Sequence, residues 1–96
     1  MPAFRLTKKA IEDLLSIARY TQKTWGREQR NKYLSTLDES FHMLAKEPHL
    51  GCVCDEIRQG YRKHHVGRHL IFYKQVAAHI KIIRILHERM DVESHL

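Results

Sequence analysis

Glu56, Arg84 and His87 are the residue types that metal-free RNA cleavage requires: a base for the ribose 2′-hydroxyl, a cation for the charged phosphorane and an acid for the leaving oxygen. Residue type alone supports that casting, and an Arg–His pair on a terminal strand more often serves a surface or an ion pair than catalysis. Arg84 stands among Ile82, Ile83, Ile85 and Leu86. A guanidinium buried there without an acceptor is costly, so it must pair with a carboxylate or open onto a partner. Two metal sets can be drawn: His49, Cys52 and Cys54 as H-x-x-C-x-C, and His64, His65 and His69. Neither supplies four ligands at recurrent zinc spacing, so no metal and no other cofactor is expected. Cys52 and Cys54 are too close in sequence for an unstrained disulfide, which leaves two free thiols and disfavours a secreted disulfide scaffold.

The elements that must position these residues begin with Tyr61–Asp91. Arg68 to Val76 and His79 to Leu86 are rich in Ile, Phe and Tyr and too short for helices, so they read as strands. Strict alternation along the second run places Ile80, Ile82, Arg84 and Leu86 on one face and Lys81, Ile83, Ile85 and His87 on the other. Ile71, Tyr73, Ile83 and Ile85 then share the face opposite Leu70, Phe72 and Ile82, and apolar residues on both faces mark a central strand.

The N-terminal half reads as the packing partner. Ala3 to Leu6 suit a short edge strand; Thr7 offers an N-cap oxygen, with Glu12 and Asp13 near the positive end of the helix that follows. From Lys8 to Thr24, with Trp25 next, Ile11, Leu14, Leu15, Ala18 and Trp25 form one apolar stripe. Gly26 closes this helix and opens a second, where Tyr33, Leu34, Leu37, Phe41 and Leu44 repeat the period until Pro48. So short a link makes the pair an antiparallel hairpin. Glu47 to Cys54 reads as a loop, and Asp55 to Gln59 as a further strand. The pattern is a single α+β domain over residues 1–96, with the helical hairpin on one face of an antiparallel sheet. No element remains for the other face, which becomes a candidate binding surface.

The 96 residues suffice for one small core. Seventeen Lys and Arg against eleven Asp and Glu give +6, which favours an acidic partner without naming it. Arg58, Arg62, Lys63, Arg68 and Lys74 offer a basic stripe for phosphates, yet no DNA-reading motif accompanies them, so the chain alone is not expected to bind DNA sequence-specifically. No apolar run reaches membrane-spanning length, and MPAFRLTKKAIEDLL has no apolar core of a signal peptide. A cytoplasmic location without membrane partners is the expectation.

Three blocks carry a resemblance: W-G-x-x-Q at Trp25, Gly26 and Gln29; E-I-R-x-G-Y-R from Glu56 to Arg62; and R-x-L-H-x-R-M-D from Arg84 to Asp91. With TKKAIEDLLSIARYTQKTWGREQRNKYL, CDEIRQGYRKHHVGRHLIFYK and IIRILHERMD, they make the chain similar to ParE toxins of the ParE/RelE family from about Phe4 to Asp91. The resemblance implies a two-helix hairpin on a twisted antiparallel sheet, and the toxic half of a type II toxin–antitoxin system neutralised by a ParD-like antitoxin. It also implies poisoning of DNA gyrase by contact rather than catalysis; the alternatives are ribosome-dependent mRNA cleavage, as in RelE-like relatives that carry functional residues near Arg84 and His87, or an inactive antitoxin-binding member. The family's C-terminal region is implicated in toxicity, which makes Arg84, His87, Glu88, Arg89, Met90 and Asp91 the expected gyrase contacts, Met90 as a flexible apolar anchor. The exposed edges of the hairpin together with Ile71, Tyr73, Ile83 and Arg84 are the expected antitoxin contacts, met by a segment disordered before binding.

Overall fold

The computed structural model describes residues 4–96. Strand β1 (Phe4–Leu6) leads into helices α1 (Lys8–Trp25) and α2 (Arg27–Lys46). A 3-10 turn at Pro48–Leu50 precedes strands β2 (Cys52–Val53), β3 (Tyr61–Val66), β4 (His69–Val76) and β5 (His79–His87), and a last helical turn, α3 (Val92–His95), ends the chain. Ala3 lies outside the described residues. No helix among them is long and apolar enough to cross a membrane.

Thr7 caps α1, its Oγ1 accepting from the Ala10 N–H at 3.0 Å and donating to the Ile83 carbonyl at 2.7 Å. The first turn of α1 carries no acid. Glu12 and Asp13 lie beyond it, so the expected dipole stabilisation is not their role. Gly26, at φ 97, ends α1 and starts α2: its N–H donates to the Gln22 carbonyl at 2.9 Å and its own carbonyl accepts from Arg30 at 3.1 Å. Pro48 lies just past α2, where its lack of an N–H is harmless.

The sheet order is β1-β5-β4-β3-β2. Strands β2 to β5 pair antiparallel, but β1 pairs parallel with β5, Phe4 opposite Ile80 and Leu6 opposite Ile82. The sheet is therefore mixed. The long connection through the hairpin allows that pairing, which tight turns do not. Asp55–Gln59 is no strand; it is a compact turn closed by Cys54 N–H to the Tyr61 carbonyl (2.9 Å) and Gly60 N–H to Asp55 Oδ1 (2.8 Å). The strand in that region is Cys52–Val53, inside the expected loop.

Strict alternation fails once, with large consequences. Phe72 opposes Arg84 while Tyr73 opposes Ile82, so Ile83 is an extra residue in β5. The bulge puts Ile80, Ile82 and Ile85 on the helix side with Ile71 and Tyr73, where they meet Ala10, Ile17, Leu37, Phe41 and Leu44. Each such buried aliphatic or aromatic side chain contributes about 1.5–3 kcal/mol. On α1 the core line is Ala10, Leu14 and Ile17, while Ile11, Leu15 and Trp25 of the expected stripe point to solvent. Two apolar lines run along this helix, and only one is covered.

The opposite face is not bare. Cys54, Phe72 and Leu86 are buried there beneath Ile57 of the β2–β3 turn and Val92 and Leu96 of the chain's end. The Arg58 guanidinium holds the Leu96 carbonyl. The tail thus closes the apolar part of the face that the sequence left open.

Candidate functional site

An open groove of about 1000 Å³ lies between the C-terminal end of α1 and the far end of the sheet. Helix α1 contributes Asp13, Ser16, Ile17, Tyr20, Thr21 and Trp25; α2 contributes Gln29 and Tyr33; the β3–β4 turn contributes Gly67, Arg68 and His69; β5 and the following residues contribute Ile85, His87, Arg89 and Met90. Trp25, Tyr20 and Met90 are 70%, 68% and 45% exposed, an unusual outlay of large apolar surface on a chain this small.

The floor of the groove is a polar stack. The Tyr33 hydroxyl donates to the Val66 carbonyl at 3.1 Å and lies 2.7 Å from His69 Nδ1. The His69 ring meets His87 edge-on at 5.4 Å. Burial, helped by the neighbouring His87, pushes the His69 imidazole down to about 4, against the opposing pull of Glu88 and Asp13. Burial raises the Tyr33 phenol. Gly67, at φ +56, lies under the Tyr33 ring so closely that a Cβ would collide with it. The turn thus needs glycine for conformation and for space.

Asp13 fixes the edge of β5. Because β1 ends at Leu6, the Ile85 N–H has no strand partner; Asp13 Oδ2 accepts it at 3.0 Å. The same carboxylate takes Arg84 in a bidentate pair, Nε to Oδ2 and Nη2 to Oδ1, both 2.8 Å. The two side chains are only 15% and 14% exposed. This hydrogen-bonded pairing outweighs desolvation and raises the Arg84 pKa further. Arg84 Nη1 also donates to the His95 carbonyl at 3.0 Å. The guanidinium among isoleucines is therefore paired, by a residue 71 positions away whose role the sequence did not announce.

The remaining expected site residues scatter. Ile71 and Tyr73 are completely buried. Tyr73 donates to the Pro48 carbonyl and accepts from the Gly51 N–H, both at 2.8 Å. Neither can meet an antitoxin, and both belong to the core because the helices cover that face. Ile83 is half-buried and lines a smaller pocket of about 320 Å³ with Arg84, Lys8, Lys9 and Tyr61. Glu88 is tied to His65 at 3.0 Å and approaches Arg68 at 3.9 Å; Asp91 accepts from the Ser94 hydroxyl at 2.7 Å. Of the six expected gyrase contacts, Arg89 and Met90 are the exposed ones that line the groove.

The nuclease trio is not assembled. His87 lines the groove, Arg84 lines the smaller pocket, and Glu56 sits on the exposed β2–β3 turn and lines neither. The drawn metal sets do not converge either: no metal-holding group of three His, Cys, Asp or Glu occurs among the described residues, and Cys52 is exposed while Cys54 is buried. Three of the five residues of the basic stripe are engaged within the molecule. Arg62 donates to the Gly51 carbonyl, Arg58 holds the chain's end, and Arg68 stands at the β3–β4 turn beside Glu88.

The sequence gives Tyr20 no role, and it places Tyr33 in an apolar stripe, His69 in a metal set and Asp13 at a helix start rather than in the groove. Trp25 and Gln29 were noticed as a motif, and both line the groove. The available signal was the aromatic pair Tyr20 and Trp25 outside the Ala10–Leu14–Ile17 line.

Residues 4–92 match the family described as the ParE toxin of the type II toxin–antitoxin system, parDE. The chain is 36% identical to Toxin ParE1 of Caulobacter vibrioides over 96 residues, covering 100% of this chain and 99% of that one. It is 38% identical to Toxin ParE1 of Mycobacterium tuberculosis, covering 97% and 96%, and 32% identical to Toxin ParE of Escherichia coli, covering 100% and 94%. A chain of the chromosomal ParDE TA system from P. aeruginosa superposes with a TM-score of 0.75 at 21% identity, covering 88% of this chain and 92% of that one, which supports the same fold. With the hairpin, the mixed sheet and all three sequence blocks in place, the chain belongs to the ParE toxin family of type II toxin–antitoxin systems.

Proposed function

We propose that this chain poisons DNA gyrase in the cytoplasm by contact, without catalysis, and is silenced by a ParD-like antitoxin that occupies the groove. The observation that carries the reading is the groove's lining: exposed Tyr20, Trp25 and Met90 beside Arg68 and Arg89. Aromatic residues, Met and Arg are the types enriched at protein interfaces. A segment disordered before binding can lay apolar side chains against the aromatics and carboxylates against the arginines. The second apolar line of α1, Ile11 and Leu15, gives the same segment a place to continue over the hairpin.

Arg89 and Met90 link the two activities. They belong to the C-terminal segment with which the toxin meets gyrase, and they also form one wall of the groove. An antitoxin seated there covers them, so neutralisation is occlusion. His87 sits beneath, Glu88 and Asp91 shape the segment through their internal bonds, and Arg84 acts as a positioning residue through Asp13.

Purified protein added to gyrase supercoiling and cleavage reactions, and in parallel to a translating extract with primer extension on the message, tests the reading. Lost supercoiling with intact message is expected. Cut message with normal gyrase overturns it.

A further inference from the structure

On the sheet face away from the helices, Arg5 stands opposite Lys81, and Lys81 stands opposite Lys74. Three cations thus occupy one row across three strands, which at about 4.8 Å per strand spans roughly 10 Å. Like charges directly opposite on a sheet repel and destabilise it. None of the ion pairs among the described residues includes any of the three. The row ends against Tyr61, opposite Lys74, and Tyr61 lines the smaller pocket that Lys8 and Lys9 also border. The free positive charge therefore continues from the row to the start of α1.

We propose that this row binds a nucleic-acid phosphodiester backbone without reading its sequence. The regularity of the charge decides between polyanions. Every nucleotide of a strand carries one phosphate charge whatever its sequence. An extended peptide presents side chains to one face every second residue, about 6.8 Å apart, and matches the row only where each of those residues is acidic. The row also crosses the strands in mid-face, where no free backbone group is available to pair with a peptide main chain. This surface is separate from the groove, so its occupancy does not depend on the gyrase reading.

Fluorescence anisotropy of the purified chain with labelled 20-nucleotide single-stranded and duplex DNA, titrated over a range of salt, tests the proposal. Wild-type binding weakens steeply with salt. R5Q/K74Q/K81Q loses tenfold or more in affinity at low salt, and its logarithmic salt slope falls by about 2–3. K23Q/R27Q/K32Q removes the same charge from exposed helical positions and keeps the wild-type slope, and R5K/K74R/K81R binds as wild type. Thermal melting of the triple-Gln variant stays unchanged or rises, because repulsion has been removed. Should it fail to fold, K81Q alone carries the test with a slope change of about 1. Absence of binding by the wild type, equal losses in the two charge-removing variants, or tighter binding of a 20-residue polyglutamate overturns the proposal.

Discussion

The two faces of the sheet end at their C-terminal edge in opposite ways. Beneath the β2–β3 turn, Phe72 and Leu86 are sealed by Val92 and Leu96, with Arg58 and Arg84 holding the last carbonyls. On the helix side, the groove leaves Tyr20, Trp25 and Met90 open. Val92 and Leu96 close one apolar surface, and among the described residues no such cover lies over Tyr20, Trp25 and Met90, so the first is core and the second a candidate interface. Substitutions on the sealed side should register in stability; those in the groove should register in binding.

The largest expected effect is at the hinge between the two regions. Asp13→Ala removes the bidentate partner of Arg84 and the acceptor of the Ile85 N–H. Breaking a largely buried pair from one side costs about 3 kcal/mol, which for a domain of this size lowers Tm by about 15 °C. The double variant D13A/R84A should recover part of that loss, since no unpaired charge remains. Denaturant unfolding checks both, and a loss under about 1 kcal/mol for D13A would mean that the pair behaves as an exposed one. Next comes truncation after Asp91, which uncovers Phe72 and Leu86 and removes the bonds to His95 and Leu96; a loss of about 2–3 kcal/mol is expected, with dye binding to the newly exposed apolar surface. Unchanged unfolding would show that the tail does not seal that face.

Much of the scaffold was legible in the sequence because its signals are local. Thr7, Gly26 and Pro48 mark helix ends through their own backbone chemistry, and the strands from Tyr61 onward announce themselves by composition. The groove was not legible, for three physical reasons. The Ile83 bulge reverses the side-chain parity of β5, and nothing in an isoleucine run marks the extra residue. Asp13 and Arg84 meet across 71 positions, a distance that periodicity cannot span. Apolar patterning says that Ile11, Leu15 and Trp25 share a stripe, but not whether the stripe faces the sheet, and Ala10 and Ile17 win the core because they line the face turned toward β5.

Trp25→Ala sharpens the contrast from the open side. Trp25 is mostly solvent-exposed, so unfolding should change by under about 0.5 kcal/mol, whereas an anchoring aromatic lost from an interface costs about 2 kcal/mol, or roughly 30-fold in affinity for the antitoxin. Calorimetric titration with the antitoxin, beside a thermal melt of the variant, reads the two quantities separately. A destabilised W25A with wild-type affinity would move Trp25 from the interface to the core and erase the distinction.

The smallest effect follows pH, at the groove's floor. His69 is pushed down to about 4 when folded, chiefly by burial and then by His87, against about 6.5 unfolded. Above pH 6.5 both states hold the ring neutral, and its protonation contributes nothing. As pH falls from about 6.5 to about 4, the unfolded chain takes a proton that the folded chain refuses, so stability is lost across that window and the loss is complete below it. The full shift corresponds to about 3 kcal/mol; with the ring half-buried and partly screened by water, about 1–2 kcal/mol is expected. His64, also pushed down by burial and by His65, adds a smaller loss in the same direction. Denaturant unfolding at pH 7 and pH 4.5 should therefore show a decline that H69Q reduces and that H87Q reduces less, since His87 supplies only the second of the two causes. An H69Q protein with the full wild-type decline would place the titrating group outside the groove.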